Sequence, residues 1–135
     1  MAHTILVVDD DPGVVRVVEI NLTQEGYQVR KAGDGEEALA SIAQEAPDLI
    51  VMDVMMPRLD GFETLKRLKG DPATADIPIL MLTARAQDDD VFEGYGTGAQ
   101  WYLTKPFDPV ELRRVVRHLL TRDSSDGDAN PKPEA

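Results

Sequence analysis

Three uninterrupted runs of four large apolar residues constrain this chain more than any other feature: Ile5-Leu6-Val7-Val8, Leu49-Ile50-Val51-Met52 and Ile79-Leu80-Met81-Leu82. A strand with one wet face alternates apolar and polar residues, whereas a strand apolar throughout must be covered on both faces. Runs this short, bounded by polar residues, suit strands better than buried helices. Each is therefore read as a central strand of a parallel sheet lying between two layers of helix. Two weaker strands, roughly Tyr27 to Ala32 and Trp101 to Thr104, bring the set to five.

Segments of helical period fill the intervals. Asp11 is the expected N-cap of a first helix with Pro12 at its first position. Val14, Val15, Val18 and Leu22 share one face of that helix, and Gly26 stops it. Asp34 opens a second helix with an apolar stripe of Ala38, Leu39, Ile42, Ala43 and Ala46, ended by Pro47. Asp60-Gly61 leads into a third, carrying Phe62, Leu65 and Leu68 as far as Gly70. A fourth is expected over Asp88 to Tyr95, a weak pattern because a helix-interior glycine such as Gly94 costs about 1 kcal/mol relative to alanine. Asp108, Pro109 and Glu111 read as a capping box for a last helix that buries Leu112, Val115, Val116 and Leu119.

Five strand–helix units in strict alternation specify an α/β fold, a doubly wound (βα)5 three-layer sandwich with the flavodoxin-like strand order 2-1-3-4-5. One domain is expected over residues 3–121. Residues 122–135, rich in Ser, Asp, Gly and Pro, cannot bury enough apolar surface to offset their ordering entropy, and read as a disordered tail or the start of a linker.

Charge and composition narrow the function. The formal net charge is −11, from 25 acidic and 14 basic residues, which argues against direct nucleic-acid binding and against an anionic membrane surface. Much of the excess lies in two runs, Asp9-Asp10-Asp11 and Asp88-Asp89-Asp90. The absence of cysteine excludes disulfides, thiolate metal sites and cysteine nucleophiles. The apolar run at Ile5 to Val8 is too short for a signal peptide or a membrane span, so a cytoplasmic location is the default expectation.

In the order 2-1-3-4-5, ligands sit outside the carboxyl ends of the strands, where the order reverses between strands one and three. Asp9 and Asp10 follow strand one, Asp53 ends strand three, Thr83 ends strand four and Lys105 follows strand five. A single Asp at a strand end is ordinarily a helix cap, and Asp11, Asp34, Asp60 and Asp108 are read that way. Thr83 alone would also be a cap, and Lys105 alone a surface lysine. No capping argument requires all five residues at one edge. Carboxylates in proximity repel one another unless a cation neutralises them, and Mg²⁺ prefers such oxygen ligands. With Lys105 as a further positive charge and Thr83 as a hydroxyl donor, the set suits phosphoryl transfer. A carboxylate can itself be the nucleophile.

Val7-Val8-Asp9-Asp10-Asp11-Pro12, Asp53-Val54-Met55-Met56-Pro57, Asp60-Gly61, Leu82-Thr83-Ala84 and Lys105-Pro106-Phe107 together resemble the receiver signature of two-component response regulators. The resemblance covers roughly residues 3 to 121 with spacing intact. It implies that Asp53 accepts a phosphoryl group from a histidine kinase or a histidine phosphotransfer protein. It implies Mg²⁺, replaceable by Mn²⁺, on Asp10, Asp53 and the backbone carbonyl of Met55, with Asp9 acting through a coordinated water. Lys105 would pair with a phosphoryl oxygen. Thr83 would move toward the phosphate and Tyr102 would turn inward. That switch would present the surface of the fourth helix, fifth strand and last helix to a downstream protein partner or an output domain. The Lys105-Pro106 bond is expected to be cis. Such a protein is a monomer or weak dimer that catalyses only its own phosphorylation and dephosphorylation, and otherwise is not an enzyme.

Some positions depart from the pattern or fall outside it. Gln100-Trp101 stands where receivers often carry two acids, which removes residues used in the salt-bridged dimer of one DNA-binding subfamily. Trp101 is expected to be partly buried. Met55 and Arg85 occupy positions that flank the phosphate in the family, and His3 and His118 are expected at the surface. The alternatives are a flavin or nucleotide carrier, an aspartyl phosphatase, and a degenerate receiver acting as a phosphorylation-independent binding module. The first needs a Gly, Ser or Thr-rich phosphate loop where this chain has three acids. The second needs substrate-binding insertions, but the connections are short. The complete set Asp9, Asp10, Asp53, Thr83 and Lys105 weighs against the third.

Overall fold

A computed structural model describes residues 3–54, 61–83 and 99–121. Along the chain run β1 (Thr4–Val8), α1 (Pro12–Gln24), β2 (Gln28–Ala32), α2 (Gly35–Gln44), β3 (Leu49–Asp53), α3 (Gly61–Lys69), β4 (Ile79–Thr83), β5 (Trp101–Thr104) and α4 (Pro109–Thr121). The helix expected over Asp88 to Tyr95 and the cap expected at Asp60 lie outside the described residues. The five strands form one parallel sheet in the order β2-β1-β3-β4-β5, as the alternation predicts. Among the described residues, no helix is long and apolar enough to cross a membrane.

The four-residue apolar runs are buried on both faces because consecutive side chains enter different cores. Leu6, Val8, Ile50, Met52, Ile79 and Met81 pack with Ala38 and Ile42 of α2 and with Leu65 and Leu68 of α3. Ile5, Val7, Leu49, Val51, Leu80 and Leu82 pack on the opposite face with Val18 and Leu22 of α1 and four residues of α4. Burying one such side chain is worth about 1.5–3 kcal/mol, so the two layers carry most of the driving force for folding.

Local chemistry sets the helix ends. Asp11 Oδ1 accepts the Gly13 N–H at 2.8 Å, and Pro12 takes the first helical position. At the other end of α1, Gly26 N–H donates to Thr23 O (3.0 Å) and Tyr27 N–H to Leu22 O (3.2 Å), a Schellman arrangement with Gly26 at φ 95°. In α2, Asp34 Oδ1 accepts from Glu37 N–H (2.9 Å) while Glu37 Oε1 accepts from Gly33 N–H (2.9 Å). Two readings of the sequence need correction. Ala43 lies on the outer face of α2 and Ala46 beyond its end at Gln44, where the residue before Pro47 is disfavoured from helical geometry, and both are exposed. Asp108 caps α4 through Val110 N–H (2.8 Å), one residue earlier than a capping box requires.

Side-chain hydrogen bonds tie elements together at three places. Arg30 of β2 donates to the carbonyls of Ser41 and Glu45, both at 2.8 Å, and to the Ser41 hydroxyl, closing the end of α2. Glu25 accepts from Arg117 at 2.8 Å, and Asn21 accepts from Arg113, which aligns α1 with α4. Lys69 Nζ donates to Ala75 O (2.9 Å) and Ile77 O (2.8 Å), fastening the turn before β4. Burial lowers the Lys69 pKa below its ordinary 10.5, and nearby Asp76 only partly opposes that.

Two outcomes follow for stability. Gly26→Ala meets no atom within 4 Å but forces a left-handed backbone, so a loss of about 1–2 kcal/mol is expected in urea unfolding; an unchanged midpoint would contradict it. Between the lowered Lys69 pKa and 10.5, the unfolded chain holds more protons than the folded one, so this group makes stability rise with pH there. The advantage of the parent over Lys69→Met should therefore grow as alkaline pH approaches 10.5, and a pH-independent difference would contradict that.

Candidate functional site

Parallel pairing brings the carboxyl ends of the strands to one edge. Val8 pairs with Met52, Asp53 with Leu82, and Thr83 with Thr104. The residues just beyond continue the ladders: Asp9 N–H donates to Ala32 O (3.2 Å), Val54 N–H to Leu82 O (2.9 Å) and Lys105 N–H to Thr83 O (2.6 Å). Asp9, Asp53, Thr83 and Lys105 are thus held by sheet hydrogen bonds or by their immediate continuation. The Lys105-Pro106 peptide is cis, as the receiver resemblance implies.

Lys105 Nζ lies 3.0 Å from Asp9 Oδ2 and 3.1 Å from Asp53 Oδ1. The Asp9 side chain is 0% exposed, that of Asp53 8% and that of Lys105 22%, so the ammonium compensates two nearly dry carboxylates. Burial pulls the Lys105 pKa down, but the hydrogen bonds and charges of Asp9 and Asp53 outweigh it and leave the pKa above 10.5. Asp9 has a partner on each oxygen, since Oδ1 also accepts the Asp11 N–H at 2.9 Å. One carboxylate oxygen from each of Asp9, Asp10 and Asp53 lies within 4.8 Å of the others, a spacing one cation could bridge. Asp10 is the exposed member of the three.

Thr83 and Tyr102 are buried, 1% and 3% exposed respectively. Tyr102 lies in the core layer of α2 and α3. Met55 and Arg85 lie outside the described residues. His3 and His118 are exposed, and half-buried Trp101 meets the His118 ring edge-on at a centroid distance of 5.5 Å.

The edge is flanked by two recesses. A polar groove of about 770 Å³ runs from Asp9 and Asp10 past Arg16, Glu19 and Lys31 to Glu37. A less polar recess of about 470 Å³ lies on the other side of α1, between Val14, Val17, Lys105, Pro106 and Phe107. Sequence reasoning missed two contributors. Gln100 Oε1 accepts the Ile79 N–H (2.8 Å) while Gln100 N–H donates to Ile79 O (3.0 Å), pinning the start of β4 beside β5. Gly61 N–H donates to Val54 O at 2.9 Å, seating α3 against the residue after Asp53. The Asp60-Gly61 motif was the available signal for Gly61; nothing in a lone glutamine signals the Gln100 contact.

The structure is an open parallel sheet with three acids and one lysine gathered at its switch point. Residues 5–117 match the family model described as the response regulator receiver domain. The chain belongs to that family.

The chain is 50% identical over 118 residues to the DNA-binding dual master transcriptional regulator RpaA of Synechocystis, an alignment covering 87% of this chain and 49% of RpaA. It is 47% identical over 119 residues to the response regulator PleD of Caulobacter vibrioides, covering 88% of this chain and 26% of PleD. The chemotaxis response regulator CheY4 of Vibrio cholerae superposes with a TM-score of 0.84 at 36% identity, covering 89% of this chain and all of CheY4. This chain spans about half the length of RpaA and a quarter of PleD.

Replacing Lys105 by Met removes the compensating charge from Asp9 and Asp53. A loss of about 1–3 kcal/mol is expected in urea unfolding without divalent cations, partly recovered by adding Asp53→Asn. If Lys105→Met unfolds with the parent, the bridge contributes no stability.

Proposed function

We propose that the chain is a phosphoacceptor, with Asp53 taking a phosphoryl group from a phosphohistidine on a histidine kinase or a histidine phosphotransfer protein. The observation that carries this reading is the position of Lys105 Nζ, within 3.1 Å of both Asp9 and Asp53, beside carboxylates spaced for one cation. An Asp53 carboxylate oxygen forms the new O–P bond as the P–N bond of the donor breaks, and the imidazole leaves with the N–P electron pair. Asp10 and Asp53, with the Met55 carbonyl, are the proposed ligands of Mg²⁺, for which Mn²⁺ can substitute. When bound, the metal offsets charge on the phosphoryl oxygens. Asp9, with both oxygens already engaged, is assigned an indirect role through water. Lys105 is assigned to a phosphoryl oxygen.

Phosphorylation adds about −1.5 to −2 charge and three acceptor oxygens. Thr83, at the adjacent strand end, and Tyr102 are assigned to transmit that change to a downstream protein partner or an output domain. RpaA is named as DNA-binding, but this chain covers 49% of it. We assign no direct nucleic-acid contact to the present domain, which we delimit as 3–121, in line with the whole chain's net charge of −11. A cytoplasmic monomer or weak dimer fits this role.

Incubation with Mg²⁺ and a small phosphoramidate should add one acid-stable, base-labile phosphoryl group by intact mass, lost on chelation and in Asp53→Ala. An unmodified parent under every donor and metal would sink the reading in favour of a phosphorylation-independent binding module. Mg²⁺ at a hundred times its Kd should stabilise the parent by about 2.7 kcal/mol, and at the same concentration Asp10→Asn should gain far less. Equal gains in the two proteins would remove Asp10 from the metal site.

A further inference from the structure

At Gly61 a side chain has no room. A Cβ there would stand 2.2 Å from the Asp53 carbonyl oxygen, 2.9 Å from Val54 Cα and 3.0 Å from the Asp53 carbonyl carbon. All three are main-chain atoms, which no side-chain rotation can clear. Elsewhere the nearest neighbour is at 3.3 Å for Gly13 and Gly70 and at 3.5 Å for Gly33, and Gly26 meets nothing within 4 Å. The requirement at Gly61 is therefore for space.

The peptide that fills this space belongs to the proposed phosphoacceptor; it is held to β4, and the carbonyl of the next residue is held to α3. Its N–H, that of Val54, donates to Leu82 O of β4 at 2.9 Å, and Val54 O accepts the Gly61 N–H at 2.9 Å. The helix cannot simply retreat, because Thr64 and Leu65 are 0% exposed and Leu68 2%. We infer that Gly61 is a positioning residue: its missing side chain lets α3 seat against the Asp53–Val54 peptide, and that seat aims the Asp53 carboxylate at Lys105 and the acidic cluster. Pairing of β3 with β1 ends at Met52, so a methyl group at Gly61 pushes on a strand end held on one side only, by β4, and moves the Asp53 carboxylate relative to Lys105. The inference rests on the reading of Asp53 as phosphoacceptor.

The test compares the parent, Gly61→Ala, Gly26→Ala and the double variant Gly61→Ala/Leu68→Ala. Each is measured for Asp53 phosphorylation by phosphoramidate at saturating Mg²⁺, for Mg²⁺ affinity and for urea stability. Gly26→Ala serves as a destabilised control remote from the site. A misplacement on the order of 1 Å costs about a hundredfold in rate, so Gly61→Ala should lose tenfold to a hundredfold in phosphorylation and bind Mg²⁺ more weakly. Gly26→Ala should keep the parent's rate and metal affinity. Trimming Leu68 loosens α3, so the double variant should regain rate while losing further stability, opposite directions that a merely structural role does not produce. A parent that is not phosphorylated on Asp53 removes the phosphoacceptor reading itself. A phosphorylated parent with an equally fast Gly61→Ala, or with Gly26→Ala slowed as much, overturns the role of Gly61 alone. Should Gly61→Ala not fold, amide resonances of the parent decide: Gly61 and Val54 should shift together on phosphorylation, and two silent amides overturn the inference.

Discussion

The contact on which the site depends is one ammonium shared by two carboxylates from different strands. Asp9 follows β1, Asp53 ends β3, and Lys105 arrives from the far side of β4. Carboxylates as dry as these carry a desolvation cost, and only a close, hydrogen-bonded counter-charge offsets it. The sheet supplies that counter-charge by register: parallel pairing from β1 to β5 brings all the strand ends to one edge. The Lys105 N–H bond to Thr83 O then holds the backbone from which the side chain reaches inward. The arrangement is stiff where it must neutralise charge and open at Asp10, its exposed member.

The surroundings divide the labour. Behind the site, alternate residues of one strand feed two separate cores, so β1, β3 and β4 cannot slip by one residue without exchanging every contact. Beside it, α1 separates a charged groove from a less polar recess. The helix is anchored at one end by the Asp11 cap and at the other by the Gly26 turn and the contacts of Asn21 and Glu25 with α4. Those exposed pairs are individually weak, and they orient the helix more than they stabilise it.

Much of this was legible in the residues. Apolar runs without alternation predicted strands covered on both faces, and the strict alternation of units predicted their order. The strand ends then gathered Asp9, Asp10, Asp53, Thr83 and Lys105 before any distance was known. Contacts that depend on shape were not legible. The crowding at Gly61 arises from a carbonyl eight residues away in sequence, and a glycine codes for absence of bulk wherever it stands. The bidentate grip of Gln100 on Ile79 spans a connection whose path no periodicity specifies. The stripe on α2 was drawn too long because alanine satisfies an apolar pattern equally well when exposed.

The place of β2 in the sheet has a bearing on behaviour in crowded solution. Strand β2 is an outer strand of the sheet, and outer strands invite pairing with strands of other molecules. Here the incoming strand would meet the exposed ammonium of Lys31 and a guanidinium already committed to Ser41 and Glu45. Pairing would have to cover the Lys31 charge, so this border of the sheet carries a cation of the kind that keeps outer strands from runaway growth.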